Sequence, residues 1–169
     1  MEKNLKESNS FHEAGHILIH LITGTKIKEL EVIENNKQFK VVTHDSYDLS
    51  QNNINDLNDS LIMCVRAGCL TEKNYYWRRC INFDPEIPGT DMWQISKLFY
   101  EERNNITWRD GFDKHINDLD KETERLIKKH WSFVRIIARR LYNNKVLTVD
   151  EINKLWLLHN NKKVRSKDL

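Results

Sequence analysis

The segment His12-Glu13-Ala14-Gly15-His16 constrains this chain more than any other stretch. On a helix with 3.6 residues per turn, positions i and i+4 lie on one face, one turn apart. Two imidazoles so placed can each turn a ring nitrogen toward a single Zn²⁺ at about 2.0–2.1 Å. The residue after the first histidine sits beside that face, where a glutamate reaches a water at the metal without being a ligand itself. The pattern therefore supplies two metal ligands, His12 and His16, and a general base, Glu13. It lacks a third protein ligand. The competing reading is two surface histidines flanking a glutamate on an ordinary amphipathic helix.

The neighbouring residues support a helix. Phe11, Ala14, Ile17, Leu18, Leu21 and Ile22 recur at helical spacing, and Gly24 is placed to stop the helix at its C′ position. Ser10 and Glu13 have the spacing of a capping box, which would tie Glu13 to backbone rather than aim it at a water. A helix starting near Ser8 or earlier removes that conflict, and this is the start expected. Gly15 costs about 1 kcal/mol relative to alanine inside a helix. Close approach of a neighbouring backbone would account for it. His20, one further turn along the same face, is expected to support the structure rather than bind metal.

At 169 residues the chain can bury a core without staples. The expected organisation is one domain over residues 1–159, with a basic flexible tail over 160–169. No run of about 18 apolar residues offers a membrane span, and the first residues have no apolar signal core. Cys64, Cys69 and Cys80 have no C-x-x-C spacing. They read as reduced, mostly buried thiols of a cytoplasmic protein. The net charge of +2 hides an asymmetry, with residues 1–102 at net −5 and 103–169 at net +7. A basic half can face nucleic acid or an acidic partner. A solvated helix face explains it more simply, so nucleic acid is not expected as a partner.

After Gly24 the pattern becomes β-prone. Ile27, Leu30, Val32 and Ile33, then Phe39, Val41, Val42 and Thr43, flank Asn35-Asn36-Lys37 as the two arms of a hairpin. A helix is expected from about 51 to 75, with Ile54, Leu57, Leu61, Val65 and Cys69 on its buried stripe. Arg66-Ala67-Gly68 is its least bulky stretch, suited to close approach of another helix. Tyr75-Tyr76-Trp77 reads as an aromatic lid on the core. Beyond Pro85 and Pro88, Thr90 and Asp91 look like the start of a further helix carrying Ile95, Leu98 and Phe99. A long helix is expected over about 112–143, and Thr148 to Glu151 forms a capping box for a last helix ending near Leu158. The fold class is mainly α, with one small β-hairpin after the motif helix.

A catalytic zinc site needs three protein ligands and one open position. Candidates for the third are His44, His115, His130, His159, Glu72, Asp84, Glu86 and Asp91. Asp91 stands out because Pro88-Gly89-Thr90 would hold it rigidly at a helix start. Its alternative role is to complement the helix dipole, worth about 0.3–1 kcal/mol.

At this point the chain resembles the peptidase domain of the FtsH-type ATP-dependent zinc metalloproteases. HEAGH followed by a hairpin carries the likeness. Val65-Arg66-Ala67-Gly68-Cys69-Leu70-Thr71-Glu72 loosely matches the family's Gly-Arg-Ala-Ala-Glu-like helix segment. Pro88-Gly89-Thr90-Asp91-Met92-Trp93-Gln94-Ile95-Ser96-Lys97-Leu98 matches a segment opening a later helix, and Leu147-Thr148-Val149-Asp150-Glu151-Ile152 resembles the closing one. The likeness covers roughly residues 8–158 and implies a helical metallopeptidase domain with Asp91 as third zinc ligand. Departures are Ile17 where the family usually has alanine, Thr90 where it has asparagine, and the lack of any P-loop or membrane span. An ATP-independent peptidase of this kind would act on peptides or unfolded segments, alone or delivered by a separate partner or regulatory protein.

The expected function is thus a zinc-dependent endopeptidase. His12, His16 and Asp91 would hold Zn²⁺ and Glu13 would act as base. One strand of the hairpin, through Phe39, Val41 and Thr43, would pair with an extended substrate. Two other readings stay open. One is a repressor-cleaving peptidase resembling ImmA, which shares a similar helix motif. The other is a non-catalytic protein-binding module on the same fold.

Overall fold

Helix α1, Glu2–Thr23, is the element around which the chain is built. The computed structural model describes residues 2–24, 27–35, 38–45, 54–79, 108–143 and 147–165, with side chains over 6–24, 59–79, 114–143 and 147–161. It is mainly helical. Strands β1, Ile27–Asn35, and β2, Gln38–Asp45, pair antiparallel in the register Val32 to Val41. Four helices follow: α2, Ile54–Trp77; α3, Trp108–Lys129; α4, Trp131–Tyr142; and α5, Val149–Arg165. No helix among the described residues is long and apolar enough to cross a membrane.

Helix α1 begins well before Ser8, so Ser10 is an interior residue. Its hydroxyl donates to the Lys6 carbonyl at 2.9 Å, one turn back, rather than capping a start. The helix stops at Gly24, whose φ of 73° is the left-handed conformation that favours glycine there. Ala14, Ile17 and Leu18 are completely buried and join Phe133, Val134, Ile137 and Leu141 of α4 in one core, with Leu147 and Ile152 beside them. On another side of α1, Ile19 packs with Met63, Cys64 and Ala67 of α2 and Leu126 of α3. Helix α1 therefore lies between α2 and α4, with apolar contacts to both.

The expected long helix over 112–143 is in fact two. The chain bends at His130 (φ −110°, ψ 21°), where neither proline nor glycine stands. The His130 amide still donates to the Leu126 carbonyl at 3.0 Å, and its carbonyl accepts from Phe133 and Val134 at 2.9 and 3.1 Å. Only His130 itself lies between the two helices. Packing explains the break: α3 lies along α2, whereas α4 lies along α1. A straight rod could not serve both neighbours. Arg66 of α2 forms a two-pronged ion pair with Asp120, pinning α3 to α2.

At α5 the capping box is present. The Glu151 amide donates to Thr148 Oγ1 at 3.2 Å, and the Thr148 amide donates to Glu151 Oε2 at 3.0 Å. The helix continues to Arg165, past the expected end near Leu158. The aromatic lid is split. Tyr75 is buried and stacks on Phe11 with centroids 4.5 Å apart, while Trp77 is 72% exposed. Cys64 and Cys69 are buried thiols.

Candidate metal centre at the crossing of two helices

The motif helix meets α2 along two ridges of four-residue spacing. Ser8, His12 and His16 form the ridge on α1. Cys64, Gly68 and Glu72 form the one on α2, running the opposite way. Rows of i±4 side chains are a common basis of helix packing, and here each member faces a partner. The Ser8 hydroxyl donates to the Glu72 carboxylate. His12 Nδ1 lies 3.4 Å from Glu72 Oε2. His16 Nδ1 is 2.7 Å from the Cys64 carbonyl oxygen.

These contacts decide which ring nitrogens remain for a ligand. A carbonyl oxygen only accepts, so His16 Nδ1 carries the proton and donates it. Burial, followed by the charge of His12, pushes the His16 pKa down to about 3, so the ring is neutral across the ordinary pH range. A neutral imidazole protonated at Nδ1 has its lone pair at Nε2. Glu72 gives His12 the same orientation. Burial alone would raise its carboxyl, but hydrogen bonds from His12 and Ser8 outweigh that and hold its pKa below the ordinary 4.5. The carboxylate is ionised near neutrality and accepts from His12 Nδ1–H.

Both Nε2 atoms turn toward Gly68. A Cβ built on that glycine would land on His12 Nε2 and His16 Nε2 together. The missing side chain thus leaves a cradle on which two nitrogen donors converge. One turn away on α1, Gly15 plays a different part. A Cβ there would strike Thr71 and come 2.6 Å from the Ala67 carbonyl oxygen, so Gly15 admits the α2 backbone itself. Close approach at Gly15 and at Ala67-Gly68 is what those small residues implied.

The donor set fits a borderline cation such as Zn²⁺: imidazole nitrogens with their outer Nδ1–H groups bound to a carboxylate and a carbonyl. Two convergent ring nitrogens are present, His12 Nε2 and His16 Nε2. No group of three or more His, Cys, Asp or Glu able to hold a metal occurs among the described residues. Asp91, Asp84 and Glu86 lie outside the described residues, and so do the side chains of His44, Phe39, Val41 and Thr43 on β2. Of the remaining candidates, Glu72 faces His12 Nδ1, on the side of the ring away from Nε2, so it orients a ligand. His115 bonds Asp59 at 2.7 Å, and His130 Nδ1 lies 3.1 Å from His159 Nε2. His20, 4% exposed, is a buried neighbour of His16. Glu13 is half-buried, next to His12 in the chain.

In the sequence Glu72 stood among the candidates for a third ligand, whereas it faces His12 Nδ1 instead, and neither the Cys64 carbonyl nor the Ser8 hydroxyl was marked as a partner of this ridge. The signal was present as two four-residue ladders, one on each helix, but nothing in one sequence says that they face each other. Comparison of the chain with protein-family models, curated proteins and solved structures finds no match.

Proposed function

We propose that this chain is a zinc-dependent endopeptidase of helical metallopeptidase fold, built like the FtsH-type peptidase domain it resembles. The observation that carries the reading is the convergence of His12 Nε2 and His16 Nε2 on the cradle at Gly68, with each Nδ1 held by an acceptor. In this reading Asp91 completes the ligand set. Bound there, Zn²⁺ supplies Lewis acidity, polarising a carbonyl and lowering the pKa of a water toward about 7.

The residues of the chain do the rest. His16 is a neutral donor with its proton on Nδ1, so the site needs no deprotonation there before a cation enters, and His12 is oriented by Glu72. Glu13, adjacent to His12, takes the proton of the attacking water and returns it to the leaving amine. The hairpin presents β2, the strand that touches α1, as an edge for an extended substrate, with Phe39, Val41 and Thr43 along it. The substrate is a peptide or an unfolded segment of a protein.

The test combines metal content with cleavage of an unstructured protein such as casein. Wild type is expected to bind one Zn²⁺ and cleave. Glu13→Gln should keep zinc and lose cleavage, and Asp91→Ala should lose zinc. Full cleavage by Glu13→Gln refutes the base assignment. Retention of zinc by Asp91→Ala refutes the third ligand and favours a different ligand set.

A further inference from the structure

A second feature lies beside the motif helix and plays no part in the metal chemistry. Helices α1 and α4 enclose a groove of about 680 Å³ whose walls include Glu7, Phe11, Arg135, Ile136, Arg139 and Tyr142. This is within the range of about 300–1,000 Å³ found for ligand pockets. Its apolar part is not sealed: Ile136 is 44% exposed. Phe11 is held from behind by Tyr75 and Trp131, with ring centroids 4.5 and 5.3 Å away, so it is a rigid wall rather than a mobile side chain.

The charges around the groove are unbalanced. Helix α4 carries Arg135, Arg139 and Arg140 and no acid. Arg135 and Arg139, one turn apart, are exposed and form no ion pair among the described residues. The acid on the opposite wall, Glu7, is already engaged by Arg79 at 2.6 Å. Lys6 adds a further cation above the Tyr142 ring, 5.2 Å from its centroid. Arg139 and Arg140 sit in the last turn of α4, where cations favour the helix dipole. Arg135, a turn earlier, has no such reason to be there.

We infer that this groove is a docking site for an acidic peptide segment of another protein, one that alternates carboxylates with apolar side chains. The carboxylates meet the two forks of Arg135 and Arg139, which suit bidentate pairing. The apolar side chains cover Ile136 and Phe11. The groove opens where α1 carries Glu7 and Phe11, immediately before His12, so a protein held there is tethered next to the motif helix. The site does not depend on the peptidase reading, because binding at the groove uses neither metal nor Glu13.

The experiment uses the full chain with Glu13→Gln, so that no peptide is consumed. Two fluorescein-labelled peptides of equal length share Leu and Phe positions, one with Glu between them and the other with Lys. Fluorescence anisotropy is expected to show binding of the Glu peptide alone, weakening as salt is raised. Arg135→Glu/Arg139→Glu should weaken it by at least about tenfold, and Ile136→Ala by a few-fold, with the helical dichroism unchanged. Equal binding of both peptides, no binding of the Glu peptide, or an unchanged affinity in the double variant overturns the inference. Displacement of the Glu peptide by a single-stranded oligonucleotide overturns it too, by assigning the face to nucleic acid.

Discussion

Replacing Gly68 by alanine separates the proposed metal centre from the helix packing around it. The new methyl would occupy the point that His12 Nε2 and His16 Nε2 face. Both rings would have to swing away, breaking the contact of His12 with Glu72 and the bond of His16 to the Cys64 carbonyl. Each such bond contributes about 0.5–1.5 kcal/mol net. Against that, alanine in a helix interior gains about 0.8–1.0 kcal/mol over glycine. Stability is therefore expected to fall by no more than about 2 kcal/mol, a Tm decrease under about 8 °C for a chain of this size. Zinc affinity should fall far more. Disturbing the groups that merely orient metal-bound histidines costs about 10–100-fold, and here two donors themselves are displaced, so a loss above about 100-fold is expected. Isothermal titration with Zn²⁺ and a thermal melt of the metal-free protein read the two effects independently. Gly15→Ala should behave in the opposite way. Its methyl would meet the Ala67 carbonyl, which is backbone, and the helices must part; overpacking of this kind costs about 1–3 kcal/mol or more. If Gly68→Ala binds zinc as tightly as wild type, the two Nε2 atoms are not the donors and the reasoning fails.

Glu72→Gln keeps the shape but replaces the carboxylate that faces His12 Nδ1; zinc affinity measured by chelator competition should drop about 10–100-fold, and an unchanged affinity would remove Glu72 from the site. In the metal-free protein, acid should destabilise the fold through His16. Unfolded, its ring takes up a proton below the ordinary 6.5, whereas folded it does so only near 3. The unfolded state therefore binds more protons in that window, and stability falls as pH drops through it. Glu72, with its pKa held below 4.5, acts in the same direction at the lower end. Urea midpoints across this range should show a shallower acid limb for His16→Gln than for wild type; parallel limbs would refute the assignment. Thr148→Ala removes the cap of α5 and should cost about 1 kcal/mol, read as a Tm decrease of about 2–4 °C.

What the sequence showed of this site follows from the range of the interactions involved. The HExxH spacing is local, since a helix repeats within one turn, and so the shared face of His12 and His16 could be read directly. The smallness of Gly15 and of Ala67-Gly68 pointed to close helix contact, because no other use of glycine in mid-helix recovers its cost. The pairing of Ser8 and His12 with Glu72, and of His16 with the Cys64 carbonyl, could not be read. It depends on the register of two helices separated by dozens of residues, and a backbone carbonyl leaves no mark on a sequence. The bend at His130 was hidden for a related reason. The apolar repeat Leu126, Phe133, Ile137, Leu141 passes through it unbroken. Only the need for α3 to follow α2 while α4 follows α1 makes a straight helix unworkable. The cap at Thr148 and Glu151 is a three-residue device, and for that reason it was visible.

The position of the site within the fold has an energetic consequence. Two imidazole lone pairs pointed at one spot repel each other when no cation lies between them, so an isolated helix would turn the rings apart. Here the rings are fixed from outside by acceptors on α2, and α2 is held against α1 by the backbone contact at Gly15. The opposite flank of α1 is anchored in turn by Ala14, Ile17 and Leu18 against α4. The apolar core thus maintains an arrangement of polar atoms that is unfavourable by itself. Local conflict within an otherwise consistent structure is what a functional site is expected to show. It also explains why the donors sit at a helix crossing instead of on a surface turn. Only a contact this tight leaves room for neither a side chain at Gly68 nor free rotation of the rings, and a pair of donors so confined can meet a cation without first being ordered by it.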